Sequence, residues 1–331
     1  MELTWLNSDH LDERDVAGAV AVLEAAREVD CPHQLSPTVS SFTARLQHGW
    51  DGDPPVAALH RDGRGRVVGV LELTLPHWDN THAGSVEVTI DPASRGRGIG
   101  RQIFEAGVDR VRAAGRTLLL SETYEHAAGV GFLKALGLDR ASEAVQRRQD
   151  LVNVDRPGLD AAYAAAQSHA GDYDLLHLEG ATPDELLADV VTMTAAINDA
   201  PIDDLDIEDE VFSPERIRAF EAAQRAHGRR MYRLAARDRR TGDLAGHTQV
   251  AVEANRPWYG AQFDTSVLRS HRGHRLGLLL KIAMVRWLAD VEPQLRLLDT
   301  WNAASNTHMI RVNEALGYQV VATASEWQRH L

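Results

Sequence analysis

The chain has 331 residues, 44% of them hydrophobic and 25% charged, enough for two domains of ordinary size, each with its own core. A formal charge of −13 argues against nucleic acid as a partner, because backbone phosphates are gripped by a basic stripe, and it suits a cationic ligand. The lone cysteine, Cys31, excludes an internal disulfide, and the fifteen histidines form no H-x-x-x-H pair beside a third ligand, so no metal is expected.

No apolar run approaches the ~18 residues of a membrane span, and Met1 to His10 lacks a basic-then-apolar leader pattern; a cytoplasmic protein with no membrane partner is expected. In chain order, a short strand is predicted near Glu2 to Leu6, then helices over Glu13 to Val29 and Thr38 to His48. Period-two alternation predicts strands at Val56 to His60, Val67 to Leu75 and Ser85 to Ile90. An amphipathic helix follows over Ile99 to Ala114, then strand Leu118 to Leu120, helix Ala127 to Leu136 and strand-like residues to Val154. Asp155-Arg156-Pro157-Gly158 breaks the pattern ahead of an Ala-rich helical stretch. The order then repeats: strand Tyr173 to Leu178, helix Pro183 to Ile197, hairpin Tyr232 to Glu253, strand Phe263 to Leu268, helix Leu276 to Ala289, strand Arg296 to Trp301, helix Thr307 to Leu316, strand Tyr318 to Thr323. The expected partition is a first domain over 1–154, a helical connector over 155–171 and a second domain over 172–331.

One glycine loop occurs twice, as Arg95-Gly96-Arg97-Gly98-Ile99-Gly100 and as Arg272-Gly273-His274-Arg275-Leu276-Gly277, offset by 177 residues. Gly69 and Gly246 repeat that offset, and Leu136-Gly137 answers to Leu316-Gly317 with an offset of 180. Each loop follows a strand and opens a helix, so backbone N–H groups converge where a pyrophosphate is held. The glycines are spaced by two, which fails the dinucleotide fingerprint, and no Lys-Ser or Lys-Thr pair makes a P-loop.

The R-x-x-G-x-G spacing after a strand ending Ile90-Asp91-Pro92 resembles the GCN5-related N-acetyltransferase (GNAT) superfamily, over nearly the whole chain, in a duplicated layout similar to mycothiol synthase-like enzymes. The resemblance implies an α/β (α+β) fold of two tandem domains, each a mixed, mostly antiparallel sheet with helices on both faces. It implies acetyl-CoA as cofactor, with Arg95 to Gly100 and Arg272 to Gly277 on the pyrophosphate and the backbones of Ile90 and Val267 on pantetheine. Asn306 matches an asparagine that contacts pantetheine or CoA, and Asn302 joins it in the same motif; the ordinary role of an asparagine before a helix is an N-cap.

The implied reaction is acetyl transfer to a primary amine of a small molecule. Candidate bases are Glu87, its register partner Asp264, and Glu72, each of which can equally be a carboxylate on a wet strand. The tyrosine the family often uses to protonate the departing thiolate is replaced by Leu133 and Asn313; Asn313 retains a hydrogen-bond donor. Asp203 and Asp204, in an acidic run to Glu210, are candidates for orienting an ammonium group, or form a solvated loop. The second domain is the favoured catalyst, with the first binding CoA. The converse assignment and a non-catalytic acyl-CoA-binding or regulatory protein stay open, and edge strands allow a homodimer.

Overall fold

The computed structural model describes residues 2–331, which divide into two compact units. The first comprises 2–144, 202–209 and 322–331; the second comprises 145–201 and 210–321. This differs from the partition expected from sequence: residues 322–331 and 202–209 join the first unit, and 145–154 and the stretch expected as a connector join the second.

The first unit is a mixed sheet in the order β1 (Thr4–Trp5), β2 (Val56–Arg61), β3 (Val67–Thr74), β4 (Ala83–Ile90), β5 (Leu118–Tyr124), and then the last strand of the chain, β12 (Gln319–His330), whose residues 324–330 pair with β5. Strand pairs β1–β2, β2–β3, β3–β4 and β5–β12 are antiparallel, and β4–β5 is parallel. Helices α1 (Glu13–Asp30) and α2 (Val39–His48) cover one face, packing Val16, Val22, Phe42 and Leu46 on Leu59 and Val70. Local chemistry starts both helices: Asp12 accepts from the Arg14 and Asp15 amides, and Thr38 and Ser41 form a reciprocal capping box. Helices α3 (Ile99–Ala113) and α4 (Ala127–Ala135) cover the other face, where Ile103, Phe104 and Val108 meet Leu71, Val86 and Trp327. Gly69 allows α3 its close approach, since a Cβ there would lie 2.6 Å from the Ile103 side chain.

The second unit repeats the layout with β7 (Tyr173–Glu179), β8 (Arg229–Asp238), β9 (Leu244–Glu253), β10 (Tyr259–Val267), β11 (Leu297–Ala303) and the second half of β6 (Asp139–Asp150) beside β11. Helices α6 (Leu187–Thr194) and α7 (Pro214–Ala226) cover one face, and α8 (Leu276–Val291) and α9 (Thr307–Ala315) the other. The expected connector is helix α5 (Arg156–Gln167), which buries Leu159 and Ala166 in the α8 core and lays Tyr163 under Arg286, 3.8 Å from the ring. Among the described residues, no helix is long and apolar enough to cross a membrane.

Trp327 is 1% exposed in the first unit's core, and its Nε1 donates to Ser325 Oγ at 2.9 Å. Trp327→Ala is expected to cost about 3–5 kcal/mol of stability, and a chain stopped after Val321 to lose the cooperative unfolding of the first unit; thermal unfolding followed by circular dichroism checks both.

Candidate functional site

Each unit has a fork in its sheet. Strands β4 and β5 pair in parallel at Ala83↔Leu118, Gly84↔Leu119 and Ser85↔Leu120, after which β4 continues against β3 and β5 against β12. Ser121 Oγ donates to the Val86 carbonyl at 2.8 Å, satisfying the backbone where the ladder ends. In the second unit, pairing of β10 with β11 ends likewise at Ala261↔Asp299.

The glycine loop follows each fork. Gly96 (φ 73°) and Gly98 (φ 78°) take the left-handed conformation, and a Cβ on either would meet nothing within 4 Å, so these glycines serve backbone direction and leave open space. Gly98 caps α3 without any side-chain hydrogen bond, so the first-turn N–H groups, whose partners would lie outside the helix, face that space. This cradle fits a diphosphate. Arg95, expected on phosphate, is a strut: its guanidinium pairs with both Asp30 oxygens at 2.8 and 2.6 Å and donates to the Ile90 carbonyl at 3.1 Å. Arg97 is exposed and donates to the Ala93 carbonyl at 3.2 Å, whereas Ile99 and Gly100 open the helix.

The second loop is built alike. Arg272 donates to the Val267 carbonyl at 3.0 Å and pairs with Asp199, which also takes Arg269; both arginines hold that carboxyl down at about 2. Gly273 has φ 88°, and Arg275 occupies the left-handed cap position of α8 with φ 56°, where a side chain costs roughly 1–2 kcal/mol. His274 is exposed with its Nδ1 3.3 Å from the His169 carbonyl, and Leu276 and Gly277 start α8.

A row of four carboxylates crosses the first fork. Glu72 and Glu87 are direct partners on β3 and β4, Glu122 and Glu326 are direct partners on β5 and β12, and Glu87 and Glu122 flank the opening, each two residues past the last paired rung. Like charges on adjacent strands repel. Arg45 of α2 offsets part of this, with Nε 3.0 Å from Glu72 and Nη2 4.0 Å from Glu87. Burial raises the Glu72 carboxyl above its ordinary range. Glu122 reaches solvent along the cleft, yet the facing Glu87, the surrounding protein and Glu326 push it up to about 8.

Asp203, a candidate for orienting an ammonium group, lies beside Glu326 at the end of this row, in the first unit. Residues 202–209 are laced onto the first unit: Asp203 accepts from Ser142 Oγ at 3.0 Å, the Asp204 amide donates to the Ala141 carbonyl at 3.0 Å, and the Asp206 and Glu208 amides donate to Gln328 and Asn80 at 2.9 and 2.7 Å. Asp203 also raises Glu326, whose carboxyl is shifted first by burial. The Asp204 side chain is exposed.

The second fork is lined differently. Gln249 stands in the register of Glu72, Trp301 in that of Glu122, and Asp264 falls in a bulge of β10. Arg233, 5% exposed, donates to His247 Nδ1 at 2.8 Å, with the Gln249 side-chain oxygen accepting from its Nε at 3.1 Å. Burial raises Asp264 against the pull of Arg233, and lowers Arg233 to about 10. Asn306 caps α9 by accepting from the Met309 amide at 3.2 Å, the ordinary role. Asn313, expected to face the reaction, is fully buried: it accepts from Lys281 Nζ and donates to Asn302 Oδ1, both at 2.7 Å. Sequence reasoning missed Arg45, Glu122, Glu326 and Lys281. A two-residue step past the end of the parallel pairing would have found Glu122, but Glu326 needed knowledge of where the last strand goes.

Residues 22–138 match the family described as acetyltransferase (GNAT) family. A stretch of 117 residues is 32% identical to a mycothiol acetyltransferase of Clavibacter sepedonicus, covering 35% of this chain and 32% of that protein. Another of 158 residues is 32% identical to the mycothiol acetyltransferase of Rhodococcus jostii (strain RHA1), covering 46% and 47%. The chain thus spans about a third to a half of the curated relatives it matches. Among solved structures, a tandem GNAT protein from the clavulanic acid biosynthesis pathway aligns with TM-score 0.81 and 27% identity over 99% of this chain and 98% of that one. A GCN5-related N-acetyltransferase from Sphaerobacter thermophilus, at TM-score 0.67 and 14% identity over 99% and 95%, shares the fold.

The carboxylate row has a consequence for stability. Glu122 keeps its proton to about pH 8 when folded but releases it near 4.5 when unfolded, so between these values the folded state binds more protons and stability falls as pH rises. Glu122→Gln is expected to flatten that decline, its gain in melting temperature over the parent growing from pH 5 to pH 8 in calorimetric scans; an unchanged difference would contradict the shift.

Proposed function

We propose that this protein, whose residues 22–138 match the acetyltransferase (GNAT) family and which is similar throughout to a tandem GNAT protein, transfers an acetyl group from acetyl-CoA to a primary amine of a small cationic molecule. The first unit performs the transfer, and the second binds CoA. The observation that carries this assignment is the carboxylate row crossing the first fork beside the glycine loop. The second fork has a buried arginine, Arg233, in the corresponding region, and its positive charge repels an ammonium group.

Acetyl-CoA supplies an activated thioester carbon and a thiolate leaving group. The amides of Gly96 to Gly100 hold its diphosphate through charge-assisted hydrogen bonds, each contributing ~1.5–3 kcal/mol. Glu72, Glu87 and Glu326 attract and orient the ammonium form of the acceptor. Glu122 takes its proton and frees the nitrogen lone pair. An alkylammonium has a pKa of ~10.4, so passing its proton to a carboxylate whose own affinity for a proton is raised by its carboxylate neighbours is less uphill than passing it to an ordinary one. Leu133 is buried in the core and offers no proton to the departing thiolate. A thiol's pKa near ~8.5 makes solvent an adequate source. The name of the mycothiol acetyltransferase relatives supports the acetyl chemistry.

The test is thiol release from acetyl-CoA across a panel of mono- and diamines. Gly98→Glu and Glu122→Gln are each expected to lower kcat/KM by ~10²–10⁴-fold, with the parent's kcat/KM rising toward pH 8 and the Glu122→Gln profile losing that limb. Gly273→Glu, which obstructs the second loop, is expected to leave turnover within about twofold. The opposite pattern would move the reaction to the second unit, and no turnover with any amine beside tight CoA binding would favour the regulatory reading.

A further inference from the structure

Lys281 lies inside the second unit on α8, 2% exposed. Its Nζ sits 4.7 Å from the Tyr318 ring centroid and makes no ion pair among the described residues. A cation buried without a counter-charge is costly, and the fold does not require one here. At the matching positions of the first unit stand Phe104, Leu133 and Leu138, all in the apolar core, where the second unit has Lys281, Asn313 and Tyr318. The same architecture closes with hydrocarbon in one copy and with a polar chain in the other.

That chain has a direction. Lys281 donates to Asn313 Oδ1, Asn313 Nδ2 donates to Asn302 Oδ1, and the chain ends at Asn302 Nδ2, which hydrogen-bonds no described residue. Asn302 is half-buried on β11, three residues past Asp299, where pairing with β10 has stopped. Donors aligned from a buried cation polarise one another, strengthening the last one. We propose that Lys281 and Asn313 are positioning residues that make Asn302 Nδ2 the hydrogen-bond donor for the acyl-thioester end of CoA in the second unit. Burial alone pulls the Lys281 ammonium down to about 7, so a ligand accepting from this chain also helps to keep Lys281 charged. The inference rests on the reading that the second unit binds CoA.

Titration calorimetry on full-length protein carrying Gly98→Glu, which confines binding to the second loop, compares acetyl-CoA with 3′,5′-ADP, a fragment lacking the pantetheine arm. Adding Lys281→Met is expected to weaken acetyl-CoA about tenfold and leave 3′,5′-ADP unchanged. Asn302→Asp, which still accepts from Asn313 but presents no donor, gives the same split and does not disturb the buried site if Lys281→Met unfolds. A general structural role would weaken both ligands together. Equal loss of both, or no loss of acetyl-CoA with either variant, overturns the positioning role while second-unit binding stands. Neither ligand binding to the Gly98→Glu protein overturns the second-unit reading and this inference with it.

Discussion

The end of parallel pairing after three rungs is the constraint on which the rest depends. Had β4 and β5 remained zipped, their backbone groups would have satisfied one another and the sheet would have closed. By parting after Ser85 and Leu120, they open a slot bounded by main chain. The same parting sets Glu87 and Glu122 on opposite lips instead of on one continuous ladder. Main-chain slot and facing carboxylates thus follow from one interruption, and Arg95, anchored to Asp30 and the Ile90 carbonyl, fixes the loop to the lip of that slot.

The duplicated unit shows how far one scaffold tolerates divergence. Glycine loop, strut arginine with its aspartate, and fork are present in both copies. What differs is the chemistry on either side. One copy faces its slot with carboxylates and closes its core with Phe104, Leu133 and Leu138; the other has Gln249, Arg233 and Trp301 at its slot and Lys281 in its core. The backbone cradle needs only dihedral angles and a helix end, which is why an arginine at position 275 can occupy a left-handed cap that glycine fills in the other copy.

Much of this was legible in the sequence because it is local. Strand, turn and helix signals around 85–114 and 263–289 rest on alternation and on glycine, and these elements form as expected. The roles of Arg95 and Asn306 were harder to read, since a guanidinium or an amide beside a phosphate loop can serve the ligand or the backbone, and only Asp30 and the Met309 amide decide between them. The carboxylate row was hidden as a row for a different reason: Glu122 and Glu326 join Glu72 and Glu87 from distant stretches, and no periodicity within one segment announces a cross-strand register. The helix expected over 183–197 is broken into two 3₁₀ turns around α6, the second ending at Asp199, where the chain turns to meet Arg269 and Arg272.

The route of the final ten residues bears on how such a gene can change. Because the first copy is completed by residues 322–331, which follow the second copy in the chain, a stop anywhere in the second copy strips Glu326 and Trp327 from it. Mutational drift can blunt the middle of the second copy, but selection on the first must preserve the reading frame through residues 322–331. A duplicate that no longer performed chemistry would therefore be kept as a courier, retained for the strand it delivers.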